Sequence, residues 1–460
     1  MPRRFRLLHA IHDFLPRHQA GSEIYAAALC QELQRRGHHV TVLAASFDAS
    51  RRHGEVIWRV HDGLPVVEVV NNWAFDSFEE TYRASNLQPV FDHVLRATQP
   101  DVLHVHNLLN LSFDLPQQAR AHGARLVGTL HDYTLVCPSG GQRIHRAEQH
   151  VCHTIEADRC ARCFRDSPFF SQMVYGCVAS STPGAAKLGR IAVWIRQRWP
   201  QLGPLIARAA TATSADGPTA RQMATRLNRA REAASSFDLL IAPSPSLASE
   251  YGALGFPSGR IRVRDYGFQP APSQATRSSR NGALRVGFVG TLTWHKGVHV
   301  LVDAVRQVAP GLITLRIFGD TNTFPDYAAQ LRSAAASLPI TFGGRFERDA
   351  VETVYGEMDV LVIPSIWLEN SPLVIHEAFM AGVPVVGARI GGIADLVKDG
   401  VNGLLYAHDS SKDLAQALTT LATDKALLDR LRRHRTEVPS IADDAQEWET
   451  DYERLAGAST

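Results

Sequence analysis

Short apolar runs that end in polar residues alternate along most of this chain with longer runs of helical period, and nothing else in the sequence restricts the fold so much. "RFRLLHAI" (4–11) reads as a strand, "GSEIYAAALCQELQRRG" (21–37) as an amphipathic helix and "HHVTVLAAS" (38–46) as a second strand, which together make a β-α-β unit. "PDVLHVHN" and "ARLVGTLHD" are further strands that finish in histidine or acid, where a parallel sheet presents its carboxyl edge. In the second half "LRVGFVGTL", "ITLRIFGD", "DVLVIPS" and "VPVVGA" alternate with helical runs in the same way. The expectation is an α/β chain of two doubly wound sheets, each binding ligands beyond its strand ends. At 460 residues the chain exceeds one ordinary core, and 45% apolar content is enough to build two.

Composition places the boundary. "QPAPSQATRSSRNGA" (269–283), rich in Pro, Ser and Gly, is the best linker, which gives an N-terminal domain at 1–268 and a C-terminal domain at 284–435. Residues 436–460 form a terminal helix expected to pack back on the first domain, and 168–236 look like a helical insertion within it. With 48 basic against 46 acidic residues and a formal net charge of +2, nothing favours nucleic acid as a partner. No run approaches the ~18 apolar residues of a membrane span. "MPRRFRLLHAIHDF" is broken by His9, His12 and Asp13 and reads as a first strand, not a signal peptide, so a cytoplasmic protein is expected.

One stretch carries more chemistry than its neighbours. In "LENSPLVIHEAF" (368–379), Ser371 and Pro372 predict a helix start at about residue 371, running through Ala381 to a stop at Gly382. Glu369 then precedes the helix, and Glu377 lies roughly 7 to 8 Å along its axis at about 1.5 Å per residue. Between the two carboxylates lie backbone N–H groups that suit an anion. A phosphate in the middle with hydroxyls at both ends is the layout of a nucleotide sugar. Lys296, between Gly290 and Gly297 after a buried strand, is a second phosphate candidate.

The order and spacing of several segments resemble family 4 retaining glycosyltransferases of the two-domain GT-B fold. "GTLTWHKG" (290–297), the Glu369–Glu377 pair, "AGVPVV" and "GGIADLVKDGVNGLLY" are similar to that family's donor domain; "AGSEIYAAAL…GHHVTVL" and "DVLHVH" are similar to its acceptor-side domain. The resemblance implies two Rossmann-like domains facing across a cleft. It implies that Glu377 binds the nucleotide ribose, that Glu369 holds hydroxyls of the transferred sugar, and that the helix start from Asn370 and Ser371 through Pro372, Leu373 and Val374 binds diphosphate oxygens. Lys296 would neutralise the leaving diphosphate beside Gly290 and Thr291, Gly21 would admit the donor to the backbone, and His131 would reach the sugar. Two positions depart from the family pattern: Thr291 stands where Arg is common, with Arg345 either a substitute cation or, more in keeping with its place, a member of a surface salt bridge, and Asp395 stands where Glu is frequent.

The family does not require the segment 137–163. Cys137, Cys152, Cys160 and Cys163 fall at C-x14-C-x7-C-x2-C, four of the chain's six cysteines within 27 residues. In a cytoplasmic protein this spacing points to a closed tetrahedral site, most simply structural Zn²⁺, with disulfides, an iron–sulfur cluster or unmetallated thiols as alternatives. Within 185–199, Leu188, Ile191, Ile195 and Trp199 share a helical face opposite Lys187, Arg190 and Arg198, which can rest on the inner face of an anionic membrane or pack on its own domain. The expected activity is retaining transfer of a sugar from a nucleotide diphosphate donor to a hydroxyl acceptor (a glycan, a lipid-linked saccharide or a small molecule), in polysaccharide or glycoconjugate synthesis. No catalytic divalent ion is expected, because no D-x-D pair stands out. An epimerase or phosphorylase of similar fold, or a non-catalytic sugar-nucleotide binder, are the alternatives.

Overall fold

The computed structural model describes residues 3–48, 50–75, 77–145, 147–181, 217–269, 282–347 and 350–457. The helix expected at 185–199 lies outside them, as does most of the linker at 269–283. The chain forms two α/β units: Met1–Pro243 with Ala248–Arg264 and Ile441–Thr460, and Ser244–Leu247 with Asp265–Ser440. The sequence boundaries therefore need correction. Residues 265–268 and 436–440 fold with the C-terminal unit, tied together by a bridge between Phe268 and Ser440, and the chain returns to the N-terminal unit only at Ile441.

The N-terminal unit is built on strands β1 (Arg6–Ile11), β2 (His39–Ser46), β3 (Val56–His61), β4 (Leu64–Val70), β5 (Val102–Val105) and β6 (Arg125–Thr129), followed by a small hairpin of β7 (Ile144–His145) and β8 (His150–Val151), then β9 (Leu239–Ala242) and β10 (Ile261–Val263). Eight of them form one sheet in the order β10-β9-β6-β5-β1-β2-β4-β3. All neighbours are parallel except β3 and β4, joined by a tight turn with positive φ at Asp62 and Gly63. The central strands are buried on both faces, as a parallel sheet covered by helices requires. The terminal helix Ile441–Gly457 completes this unit. Its Trp448 and Tyr452 are fully buried, and Tyr25, from the helix Gly21–Arg35, donates to Asp444 Oδ2 at 2.7 Å.

The C-terminal unit holds β11 (Leu284–Val289), β12 (Ile313–Phe318), β13 (Ile340–Gly344), β14 (Val360–Ile363), β15 (Val385–Ala388) and β16 (Gly403–Tyr406), an all-parallel sheet ordered β13-β12-β11-β14-β15-β16. Each unit thus reverses strand order once, between β1 and β5 and between β11 and β14. Such reversals open a crevice at the carboxyl ends, where doubly wound sheets bind their ligands.

Candidate active site

The reversal in the C-terminal unit brings the two strongest sequence candidates together. Lys296 follows β11 and Glu369 follows β14, its sheet neighbour, and Lys296 Nζ donates to Glu369 Oε1 at 2.6 Å. Ser365 Oγ donates to the same oxygen at 2.6 Å, while Oε2 takes no hydrogen bond among the described residues. Glu369 is buried and Lys296 a quarter exposed, its ammonium 5.4 Å from the Trp367 ring centre. A carboxylate buried with a cation and a hydroxyl on one oxygen keeps the other oriented for a ligand.

Backbone packing fixes both partners. After the turn Trp294–Lys296, Gly297 takes φ +69°, and a Cβ there would lie 1.8 Å from Pro364 O. Glycine alone lets the Lys296 turn press so closely on the end of β14. On the other side Gly392 N–H donates to Glu369 O at 2.7 Å, and a Cβ on Gly392 would meet Asn370 O at 1.5 Å. The "GGIADL" segment that the family resemblance singled out therefore supports the Glu369 loop from behind.

The helix expected from residue 371 begins later, at Leu373, and ends at Met380. Pro372 is its cap residue, with extended ψ of 117°, and no side chain caps the helix. Ser371 does not serve as cap because its hydroxyl donates to Asp265 Oδ1 at 2.8 Å. Asp265 Oδ2 also meets His376 Nε2 at 2.7 Å, so one distant carboxylate ties the segment before the helix to its first turn. The N–H groups of Leu373 and Val374 stand at the helix's open end, beyond reach of intrahelical acceptors. Glu377 accepts from Tyr355 OH at 2.8 Å. Thr291 is exposed and Gly290 N–H bonds Phe318 O at the end of β12. Arg345 is exposed beyond β13, where its charge bears on Asp320. Asp395 accepts the N–H of Ser246 at 2.9 Å, a structural use.

In the N-terminal unit the reversal point carries histidines. His9 on β1, His104 on β5 and His106 just beyond it are all buried. Both His104 and His106 turn to the buried side, since residues two apart along a strand share a face. His9 Nδ1 meets His106 Nε2 at 3.0 Å, His106 Nδ1 meets His131 Nε2 at 3.0 Å, and His104 bonds Tyr452 OH and Thr129 Oγ1, each at 2.9 Å. Burial holds His9 and His131 down at about 3 and His104 and His106 well below the usual imidazole range. Gly21 opens the helix Gly21–Arg35, and Glu23 in its first turn accepts from Ala20 N–H at 3.1 Å and faces His12 and His18 at 3.4 and 3.2 Å. Burial alone would raise the Glu23 carboxyl; the His18 bond and the two imidazoles outweigh it and hold it at about 2. Sequence reasoning missed Asp265, Ser365, Glu23 and His9, none of which belongs to a recognisable spacing.

Cys137, Cys152, Cys160 and Cys163 are free thiols that line a single cavity of about 20 Å³ together with Arg143 and Arg159. The segment is more than a loop: β7 and β8 pair within it, the helix Ala157–Arg165 carries Cys160 and Cys163, and Ile144 and Phe164 give it buried apolar anchors. Among the described residues, the ligand groups with donor atoms mutually within 4.8 Å are His9–His104–His106 and His12–His18–Glu23. No three of the four sulphurs meet that spacing.

Residues 20–166 match the family described as Glycosyltransferase Family 4, and residues 283–424 match Glycosyl transferases group 1. The chain is 29% identical over 259 residues to the D-inositol 3-phosphate glycosyltransferase of Rhodococcus erythropolis, covering 51% of this chain and 58% of that protein. It spans about half the length, or less, of the curated relatives it matches. Among solved structures, Anabaena Alr3699/HepE in complex with UDP and glucose aligns with a TM-score of 0.62 at 17% identity, over 98% of this chain and 100% of that one. Sucrose-phosphate synthase from Thermosynechococcus elongatus aligns with a TM-score of 0.64 at 17% identity, over 98% and 99%. At such identities these likenesses establish the fold, which is GT-B.

Proposed function

We propose that this GT-B chain, with a glycosyltransferase-family domain in each half, is a retaining glycosyltransferase that moves a sugar from a nucleotide diphosphate donor to a hydroxyl acceptor, in polysaccharide or glycoconjugate synthesis. The observation that supports this most is the Lys296–Glu369–Ser365 constellation beside the open N-terminus of the helix Leu373–Met380. In this reading the diphosphate takes the N–H groups of Leu373 and Val374, with Asn370, Ser371 and Pro372 shaping the approach and Gly290 and Thr291 on the other side. Lys296 turns from Glu369 toward the departing phosphate, an attraction that grows as the glycosidic bond breaks. Glu369 Oε2 accepts sugar hydroxyls and Glu377 accepts from the ribose. His131 and Gly21 of the N-terminal domain serve the sugar end of the donor. Charge on the leaving group is met by Lys296 and helix N–H groups, with no catalytic divalent ion. The relative from Rhodococcus and the UDP complex of HepE favour this donor class. A thermal-shift screen against nucleoside diphosphates and their sugars tests it: the matching donor should stabilise the wild type and stabilise Lys296→Ala much less. A shift identical in both would remove Lys296 from the donor site.

The same proposal assigns structural Zn²⁺ to Cys137, Cys152, Cys160 and Cys163. Four thiolates and one divalent ion carry net charge −2, and two buried guanidiniums stand beside them. Arg226 donates to the carbonyl oxygens of Thr134, Leu135 and Val136, directly before Cys137, and has no carboxylate within ion-pair reach among the described residues. Arg143 is 1% exposed and pairs with Glu250. No three of the four sulphurs lie mutually within 4.8 Å, so the segment would have to tighten for all four to share one ion. Elemental analysis of the purified protein should find about one zinc per chain, lost in the Cys160→Ser/Cys163→Ser double variant. Iron with acid-labile sulphide, or no metal, would refute the assignment.

A further inference from the structure

The pair Ser371-Pro372 favours a helix that starts one residue earlier than the one the chain forms. Serine as cap with proline at the first helical position is a preferred start, and the cap hydroxyl accepts from the N–H groups of the second and third helical residues. Those residues would be Leu373 and Val374, whose N–H groups stand open at the start of the helix Leu373–Met380. A serine cap and a bound diphosphate therefore compete for the same donors.

The structure decides that competition against the cap. Ser371 Oγ donates to Asp265 Oδ1 at 2.8 Å, Pro372 keeps its extended ψ of 117° outside the helix, and no side chain caps it. Asp265 is itself held on both oxygens. Tyr266 N–H donates to Oδ1 at 2.9 Å, and His376 Nε2 stands 2.7 Å from Oδ2. The Phe268 ring lies against the His376 ring, with centres 4.5 Å apart and planes inclined by 19°, and Phe268 N–H donates to Pro439 O at 2.9 Å. A carboxylate fixed in this way cannot follow the serine toward the helix. All of these groups belong to the C-terminal unit.

We infer that Asp265 is a positioning residue for the donor: by holding the Ser371 hydroxyl off the helix, it keeps the N–H groups of Leu373 and Val374 open to an anionic ligand. It acts through Ser371 and touches no ligand itself. The inference rests on the glycosyltransferase reading only for the identity of that ligand, the diphosphate of a nucleotide sugar. Asp265 is a quarter exposed and lies outside any helix or strand, so its replacement leaves the core of the unit intact.

Amide hydrogen exchange in the full-length protein, read by NMR without ligand, tests the inference separately from donor binding. The N–H groups of Leu373 and Val374 should exchange freely in the wild type and in Asp265→Asn, whose amide oxygen still accepts from Ser371. In Asp265→Ala the released serine caps the helix, and the two amides should exchange severalfold more slowly. Titration calorimetry with UDP, ADP and GDP gives the second readout. The diphosphate that binds the wild type should bind Asp265→Ala about fivefold more weakly, the equilibrium worth of one serine cap, while Asp265→Asn keeps most of the affinity. Adding Ser371→Ala to Asp265→Ala removes the competing cap and should recover most of the loss. A merely structural role for Asp265 predicts no recovery, because deleting a second side chain restores no packing. Unchanged exchange at Leu373 and Val374 in Asp265→Ala would overturn the inference, as would a double variant that binds no better than Asp265→Ala. Tighter binding in Asp265→Ala, the result of relieved charge repulsion, would overturn it as well. If none of the three diphosphates binds the wild type while the two amides become protected in Asp265→Ala, the donor reading fails and the role of Asp265 stands.

Discussion

Gly392→Ala tests the support of the site at a residue to which no ligand contact is assigned. A Cβ at residue 392 would lie 1.5 Å from Asn370 O and 2.4 Å from its carbonyl carbon, whereas real Cβ atoms stay beyond 3.0 Å, so backbone must move by about 1.5 Å. The helix Gly391–Leu396 cannot simply retreat, since Gly392 N–H holds Glu369 O at 2.7 Å. The loop carrying Glu369 therefore shifts, and the 2.6 Å contacts from Lys296 and Ser365 stretch past hydrogen-bond range. Overpacking of this kind costs about 1–3 kcal/mol, and ångström-scale misplacement of a catalytic group costs ~10²-fold in rate. Calorimetry should show the C-terminal domain melting several degrees lower, and initial rates with the identified donor should fall about a hundredfold while the nucleoside diphosphate still binds. Gly259→Ala, with nothing within 4 Å of its Cβ, is the control. Wild-type melting and wild-type turnover in Gly392→Ala would refute the claim that this contact positions Glu369.

Three further outcomes are expected. Glu369→Gln should nearly abolish transfer while leaving nucleoside diphosphate affinity, measured by titration calorimetry, close to wild type; lost nucleotide affinity would contradict its assignment to the sugar. Lys296→Ala should weaken donor binding and turnover together, by ~10²- to 10³-fold in rate, the scale of one lost preorganised donor; an unchanged rate refutes it. His9 is held neutral by burial with a folded pKa of about 3. As pH falls below ~6.5 the unfolded chain binds this proton and the folded chain does not, so stability is present above that pH and is lost between it and about 3. Urea midpoints should drop more steeply from pH 7.5 to pH 5 in the wild type than in His9→Asn, with about 2 kcal/mol at stake at pH 5; parallel slopes would show that His9 carries no such linkage.

The two parallel sheets were legible because each strand is a short apolar run and each crossover a helical one, signals that need no tertiary context. The Lys296 turn and the Glu369 loop were legible for a similar reason: glycines and a proline mark their turns locally. The start of the helix at Leu373 was not, because the hydroxyl that normally caps is claimed by Asp265, 106 residues away in sequence. The hairpin of β3 and β4 carries a local Asp62–Gly63 turn signal that stands outside the β-α-β alternation. The histidine chain could not be read at all, since His9, His106 and His131 meet only through the lateral order of β1, β5 and β6. For the cysteines, sequence showed the clustering and structure adds the buried arginines beside them.

The central claim is glycosyl transfer with retention, and anomer-resolved NMR of the product formed from an isotope-labelled nucleotide sugar tests it most directly. The account predicts release of the nucleoside diphosphate and a new glycoside whose anomeric configuration matches that of the donor. An inverted glycoside, an epimerised donor with no glycoside, or donor binding without turnover across a broad panel of hydroxyl acceptors would contradict it.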